Sequence, residues 1–281
     1  MRRPPLPDFD NPPVTEVALS MQFEEIADFR SIYFGLLWQT LGPDRFPTFE
    51  EQPPVQRTVE RFGTAILPEG AKFELLEMPP VPRYLFVSAD GTEVVQIQQD
   101  RFTVNWRKRS PDNNYPRFER LATLFEEQSL KFQDFLDRYD LGKIVVTQAE
   151  VTYVNRIEQQ GEPRKLQRVF SVFSGVFSDD FLQEPEETYI SFRFPLVSEQ
   201  NRVGRLYIDV SPENPGDKDG PLKMVMLARG KPVGADRKSA ADFFALGRKY
   251  IVSGFASITS REAQQTWGRR DDAGVSDEKD A

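Results

Sequence analysis

The chain has 281 residues, 39% hydrophobic and 12% aromatic, with 36 Lys and Arg against 44 Asp and Glu for a formal charge of −8. It contains no histidine and no cysteine. That double absence excludes disulfides, thiol redox chemistry, zinc sites of the usual kinds and any Ser-His-Asp or Cys-His catalytic arrangement, and leaves carboxylates, Lys, Tyr, Ser, Thr and Arg for chemistry.

Met1 to Pro7 carries two arginines but prolines where a signal peptide needs an apolar stretch. No apolar run approaches the ~18 residues that span a bilayer. These features predict a soluble, cytoplasmic protein, and the acidic balance predicts repulsion of nucleic acid and anionic membrane.

Residues 1–13 hold Pro4, Pro5, Pro7, Pro12 and Pro13 and read as a stiff, extended lead-in with little to bury. Val17, Leu19, Met21 and Phe23 alternate as a half-buried strand does. Ile26, Phe29, Tyr33, Leu36, Leu37 and Leu41 follow at helical spacing until Gly42-Pro43, and the prolines of 43–56 predict a loop. Short strands are expected near 57–67 and 72–78. The runs 83–88 and 93–99 flank Asp90-Gly91, the turn chemistry of a β-hairpin. Phe102, Val104 and Trp106 mark a further strand. Pro116 is expected to open a long amphipathic helix through Phe118, Leu121, Phe125, Phe132, Phe135 and Tyr139, with Gly142 ending it.

The second half repeats the order. A strand over 144–157 is long enough to predict a bulge. Pro163 starts a short helix, and strands recur around Ile190–Leu196, Leu206–Val210 and 222–229. Ser239 with Asp242 predicts a capping box for a helix over 239–256, and Thr259 with Glu262 a second box for a short helix ending at Trp267. Residues 268–281 are charged without periodicity and read as a disordered tail. The expected fold is therefore α+β: two β-α-β(n)-α units, 14–142 and 143–267, whose antiparallel meander sheets are each covered by a long helix, related by a pseudo-twofold repeat.

Two segments concentrate polar groups among apolar ones. Arg101, Thr103 and Asn105 share the strand face opposite Phe102, Val104 and Trp106, and an arginine beside an amide suits a carboxylate or phosphate. A solvated face, or pairing of Arg101 with Asp100 or Glu119, accounts for the same residues. In the second segment Glu150, Thr152, Val154 and Arg156 share one face, with Val151, Tyr153 and Asn155 on the other. A polar pocket or a plain cross-strand ion pair both fit this pattern. Glu16, among the apolar residues of the first strand, needs a partner if buried, with Arg101 or Arg156 as candidates. The candidate pocket is thus Glu16, Arg101, Asn105, Glu150, Tyr153 and Arg156. The doublets Glu24-Glu25, Glu50-Glu51, Glu126-Glu127 and Glu186-Glu187 diverge on any regular element and read as surface charge. No Walker loop or Gly-x-Gly-x-x-Gly occurs, and neither a cofactor nor a metal is expected.

The chain resembles a sporadically distributed prokaryotic family of uncharacterised proteins. The resemblance rests on Asn11-Pro12-Pro13-Val14-Thr15-Glu16-Val17, Asp100-Arg101-Phe102-Thr103-Val104-Asn105-Trp106, Tyr115-Pro116-Arg117-Phe118-Glu119, Tyr153-Val154-Asn155-Arg156-Ile157 and Phe255-Ala256-Ser257-Ile258-Thr259, running on to Trp267-Gly268-Arg269. It implies no established activity; patchy distribution fits an accessory or defence-associated gene. The functional expectation is a non-catalytic binding or interaction protein with a protein partner, docking through 1–13 or 268–281. The alternative is a small-ligand binder or enzyme with a carboxylate/arginine pocket between sheet and helices.

Overall fold

Alternation along Val17, Leu19, Met21 and Phe23 puts four fully buried side chains on one side of a strand, and that strand lies near the middle of the sheet that organises the molecule. The computed structural model describes residues 6–62, 80–158, 166–173, 187–217 and 220–270. In chain order the elements are β1 (Asp8–Phe9), β2 (Val14–Phe23), α1 (Ser31–Leu41), β3 (Thr48–Gln52), β4 (Arg83–Val87), β5 (Glu93–Gln98), β6 (Arg101–Arg107) and α2 (Phe118–Arg138). There follow β7 (Val146–Ile157), α3 (Leu166–Val169), β8 (Ile190–Ser198), β9 (Asn201–Pro212), β10 (Leu222–Gly230), α4 (Arg237–Ile258), α5 (Arg261–Thr266) and β11 (Arg269–Arg270). Nine strands form one antiparallel sheet in the order β3-β4-β5-β6-β2-β7-β10-β9-β8, and β1 pairs separately with β11. The sheet runs unbroken from the first half of the chain into the second through the pairing of β2 with β7. That pairing carries two register shifts, the irregularity expected of so long a strand.

Both long helices lie on one face of this sheet. Phe102 of β6 meets Phe125 of α2 at 5.3 Å and Phe132 at 5.7 Å, and Phe125 meets Phe244 of α4 at 4.8 Å. α4 approaches the sheet closely because residue 247 is glycine: a Cβ there would stand 3.0 Å from Val151 and 3.1 Å from Ala228. The interlocked phenylalanines make one core that spans the sheet.

Several expectations need correction. Residues 48–52, expected as loop, form the edge strand β3; four of its five residues are exposed, so it carries no apolar alternation to reveal it. Ile26 and Phe29 are buried but precede α1, which starts at Ser31. α2 begins at Phe118, two residues after Pro116, because Arg117 takes φ 73° and ψ 157°, a conformation ordinarily left to glycine. Asp236, not Ser239, caps α4 by accepting the Ser239 backbone N–H at 2.7 Å, and Ser260, not Thr259, caps α5 by accepting that of Ala263 at 3.0 Å. Residues 57–62 are not strand; the expected strand at 72–78, the remainder of 57–67, the Pro163 helix start and residues 271–281 lie outside the described residues.

The lead-in also buries more than its prolines suggest. Phe9 is 5% exposed, packed edge-on against Phe255 at 5.6 Å and near Trp267 at 6.5 Å. Asp8 and Asp10 pair with Arg270, and Arg117 donates to Asp8 at 2.7 Å and to the Phe9 carbonyl at 3.1 Å. The two arms, Asp8–Phe9 and Arg269–Arg270, thus close on each other as a clasp. Phe9→Ala is expected to cost about 2 kcal/mol, less than a central phenylalanine, because the arm can detach without unfolding the sheet. Thermal melts with amide exchange at residues 8–10 would check this: unchanged protection there would refute it.

Candidate functional site

The side of the sheet away from the helices is polar yet largely buried. The alternation that sends Val17, Leu19, Met21 and Phe23 toward the helices turns Glu16, Ser20 and Gln22 the other way. In register beside them stand Gln96 and Gln98 of β5, Arg101, Thr103 and Asn105 of β6, Gln148 and Glu150 of β7, Arg229 of β10 and Arg205 of β9. Ser20, Gln22, Gln98, Arg101, Thr103, Asn105, Gln148, Glu150 and Arg205 are all buried.

Residues 53–62 explain this burial by crossing the face as a strap. Without a strand partner, its backbone pairs with glutamine amides. Gln98 accepts from Val55 N–H at 2.9 Å and donates to its carbonyl at 3.0 Å. Gln148 accepts from Glu60 N–H at 2.7 Å and donates to the Thr58 carbonyl. A primary amide has the donor and acceptor of a peptide group, so each glutamine stands in for one residue of a missing strand. Glu60 then pairs with Arg205 and accepts from Tyr207 Oη at 2.5 Å. Val55, Val59 and Phe62 stay exposed, so polar contacts rather than apolar packing hold the strap.

Glu150 is the hub. Its Oε2 accepts from Arg101 Nη1 at 2.9 Å, and its Oε1 from Gln22 Nε2 at 2.7 Å, Arg229 Nε at 2.8 Å and Gln148 Nε2 at 3.4 Å. Ser20 and Thr103 share a hydrogen bond of 2.7 Å beside Arg101. A second chain of contacts runs along the same face. Asn105 donates to Glu16 at 2.9 Å and accepts from Gln96 at 2.9 Å, while Gln96 accepts from Arg83 Nη1 at 2.8 Å. Arg83 Nη2 donates to Gln52 at 2.6 Å. Burial raises the Glu16 carboxyl above the usual carboxylate range, against the Asn105 hydrogen bond and the charges of Arg107 and Lys223.

The expected pocket is therefore gathered only in part. Glu16, Arg101, Asn105 and Glu150 lie on this one face, but Arg101 pairs with Glu150 rather than with Glu16, Asp100 or Glu119, and Glu16 takes Asn105 instead. Arg156 has the same phase as Glu150 but sits at the exposed end of β7, paired with Glu158 and with Glu213 at 2.7 Å. Tyr153 is on the helix side, where its hydroxyl shares a 3.0 Å hydrogen bond with Tyr115, and burial pushes its pKa up to about 12. The cleft beside these tyrosines is lined also by Phe9, Asn155, Arg248 and Phe255 and holds about 80 Å³. That is well under the roughly 300–1,000 Å³ of sites for drug-sized ligands. Among the described residues no cluster of carboxylates is arranged to hold a metal ion.

Sequence reasoning missed Arg83, Arg205, Arg229 and the glutamines. A signal was present: Gln22, Gln96, Gln98 and Gln148 each fall in the polar phase of a strand whose other phase is apolar. What the alternation could not show is that this phase is covered. No helix among the described residues is long and apolar enough to cross a membrane. The fold and the face define an α+β protein with an arginine- and glutamine-lined antiparallel sheet. Comparisons with family models, curated proteins and solved structures returned no match.

Proposed function

We propose that this protein acts by binding rather than by chemical transformation, and that its ligand is held at the polar face of the sheet beneath the 53–62 strap. One observation carries the reading: the Glu150 carboxylate accepts from two arginines and two glutamines, so its charge is engaged in holding the guanidiniums in place. It acts as a counter-ion that orients Arg101 and Arg229, rather than as an acid or base. Among the described residues, Arg101 is engaged through Nη1 and Arg229 through Nε. The overall charge of −8 favours a basic partner, but the local charge at this face favours an anionic one. A protein partner that inserts an acidic side chain here is the second reading, supported by the same donors.

The element order also supports two β-α-β(n)-α units related by a pseudo-twofold axis between β2 and β7, each half adding its remaining strands outward from that pair. A cytoplasmic setting, as the composition suggests, and an accessory role, as the family resemblance implies, complete the proposal.

Native mass spectrometry of the protein purified from its source cells is the test. The parent chain is expected to retain a ligand that Arg101→Lys, which keeps the charge but loses the planar fork, retains more weakly. Turnover of the retained compound, abolished by Glu150→Gln, would overturn the binding reading.

A further inference from the structure

The cleft on the helix side of the sheet joins apolar walls to hydrogen-bonding groups that lack partners. Phe9, Val14, Phe118, Met226, Ile251 and Phe255 line it, and it holds about 80 Å³, several times the roughly 10–15 Å³ that one water needs. One wall belongs to the N-terminal arm, tied down where Arg117 donates to Asp8 and to the Phe9 carbonyl. Asn155, also in the lining, is 2% exposed and pairs in register with the apolar Val14 and Met224. Its Nδ2 makes one long bond, 3.4 Å to the Met224 carbonyl, and its Oδ1 accepts from no group among the described residues. Tyr115 and Tyr153 share a single hydrogen bond, so one phenolic proton is spent on the other oxygen and the second has no acceptor among the described residues. Burial raises both phenols, Tyr153 to about 12, so both hydroxyls keep their protons near neutrality. A buried amide with an unmet acceptor reduces stability, so packing alone does not account for Asn155 in the apolar phase of β7.

From this geometry we infer that the cleft is a second binding site, for a small neutral molecule that carries an amide group on a short aliphatic body. The unmet groups select the head. A phenolic O–H needs an acceptor and the Asn155 Oδ1 needs a donor, so the ligand must offer both. An anion has no donor for Oδ1, and a cation has no acceptor for the phenol. Either ion would also lose its hydration without gaining a counter-charge, since Arg117 and Arg248, the cations of the lining, already pair with Asp8 and Glu119. Tyr153 and Asn155 stand two positions apart on β7, about 6–7 Å, so a group with donor and acceptor on separate atoms spans them better than a hydroxyl. The apolar walls select the aliphatic body, and the volume keeps it short. This site lies across the sheet from the polar face and does not depend on the ligand proposed there.

Backbone-amide NMR titration of the full chain with propionamide tests it, against propionate, propylammonium and 1-propanol as probes of matching length. Saturable shifts at residues 153–155 and 251–255 are expected, with a Kd of about 1–10 mM for so small a ligand. The two ions should bind at least about tenfold more weakly, and 1-propanol about threefold more weakly. Asn155→Leu, close to the same size, should weaken propionamide about tenfold or more, yet melt no lower than the parent without ligand because it removes the unmet amide. Tyr153→Phe keeps the ring and should weaken propionamide about fivefold. Absence of saturation up to about 100 mM propionamide, any of the other probes binding as tightly, or shifts that spare residues 153–155 would overturn the inference. So would unchanged affinity in either variant. A ligand-free Tm for Asn155→Leu more than about 5 °C below the parent would also overturn it, by showing that the amide serves the fold.

Discussion

Glu150→Ala is expected to destabilise the fold by about 3–5 kcal/mol, the loss typical when one partner of a buried ion pair is removed and the other is left without a counter-charge. The side chain is 8% exposed and lies between two guanidiniums whose own exposure is 10% and 17%. Truncation therefore leaves the Arg101 and Arg229 guanidiniums without their shared carboxylate on a largely buried face. Replacing the triad together, with Arg101→Met, Glu150→Leu and Arg229→Met, should cost less than the single change, because it removes the charges rather than stranding them. Urea denaturation of the two variants decides the matter. A loss below about 1 kcal/mol for Glu150→Ala would mean that water already screens the arginines and that the face is effectively open.

Phe132→Ala should cost a similar amount, about 3–5 kcal/mol, for an unrelated reason. Its ring is fully buried and meets Phe23 at 6.1 Å, Phe29 at 5.4 Å and Phe102 at 5.7 Å. These partners come from β2, from the turn before α1 and from β6, so the cavity would open where three elements meet α2. Rings anchored to a sheet cannot collapse far into such a void, and the loss should sit near the top of the range. Equilibrium unfolding with an unchanged denaturant slope is the expected observation. A loss under about 1.5 kcal/mol would show that the aromatic cluster repacks freely.

The two substitutions probe opposite sides of one sheet, and the sides differed in how readable they were. The helix-facing phase was plain in the sequence, because Val17 to Phe23, Phe102 to Trp106 and the α2 phenylalanines repeat with periods that only strand and helix produce. The strands β4, β5, β6, β8, β9 and β10 were legible on the same ground, as was the hairpin at Asp90-Gly91, where Gly91 takes φ 71°. β3 was not legible, since an exposed edge strand needs no apolar phase. The caps slipped by one to three residues, because Asp236, Ser239, Thr259 and Ser260 are all competent capping residues and local spacing does not choose among them.

The site was half legible for a related reason. Arg101, Asn105, Glu150 and Glu16 stand out as polar residues in apolar strands, but which of them meet depends on strand order. Arg101 reaches Glu150 across β2, a pairing between residues 49 apart that no local pattern encodes. Arg229 joins them from β10, while Arg83 on β4 enters the same face through Gln96 and Gln52, and neither lies beside Arg101 or Glu150 in sequence.

The amino-acid sequence alone determined the exclusions that follow from having no histidine or cysteine, the α+β class, the antiparallel strands and the apolar faces that form the core, because composition and periodicity are local properties. The tertiary structure alone decided that the halves share one sheet, that the arms clasp through Phe9, and that a strap covers the polar phase. Each of those depends on contacts between distant segments. The buried ion-pair cluster on the covered face exists only once strand order has brought Arg101 and Arg229 to one carboxylate, Glu150.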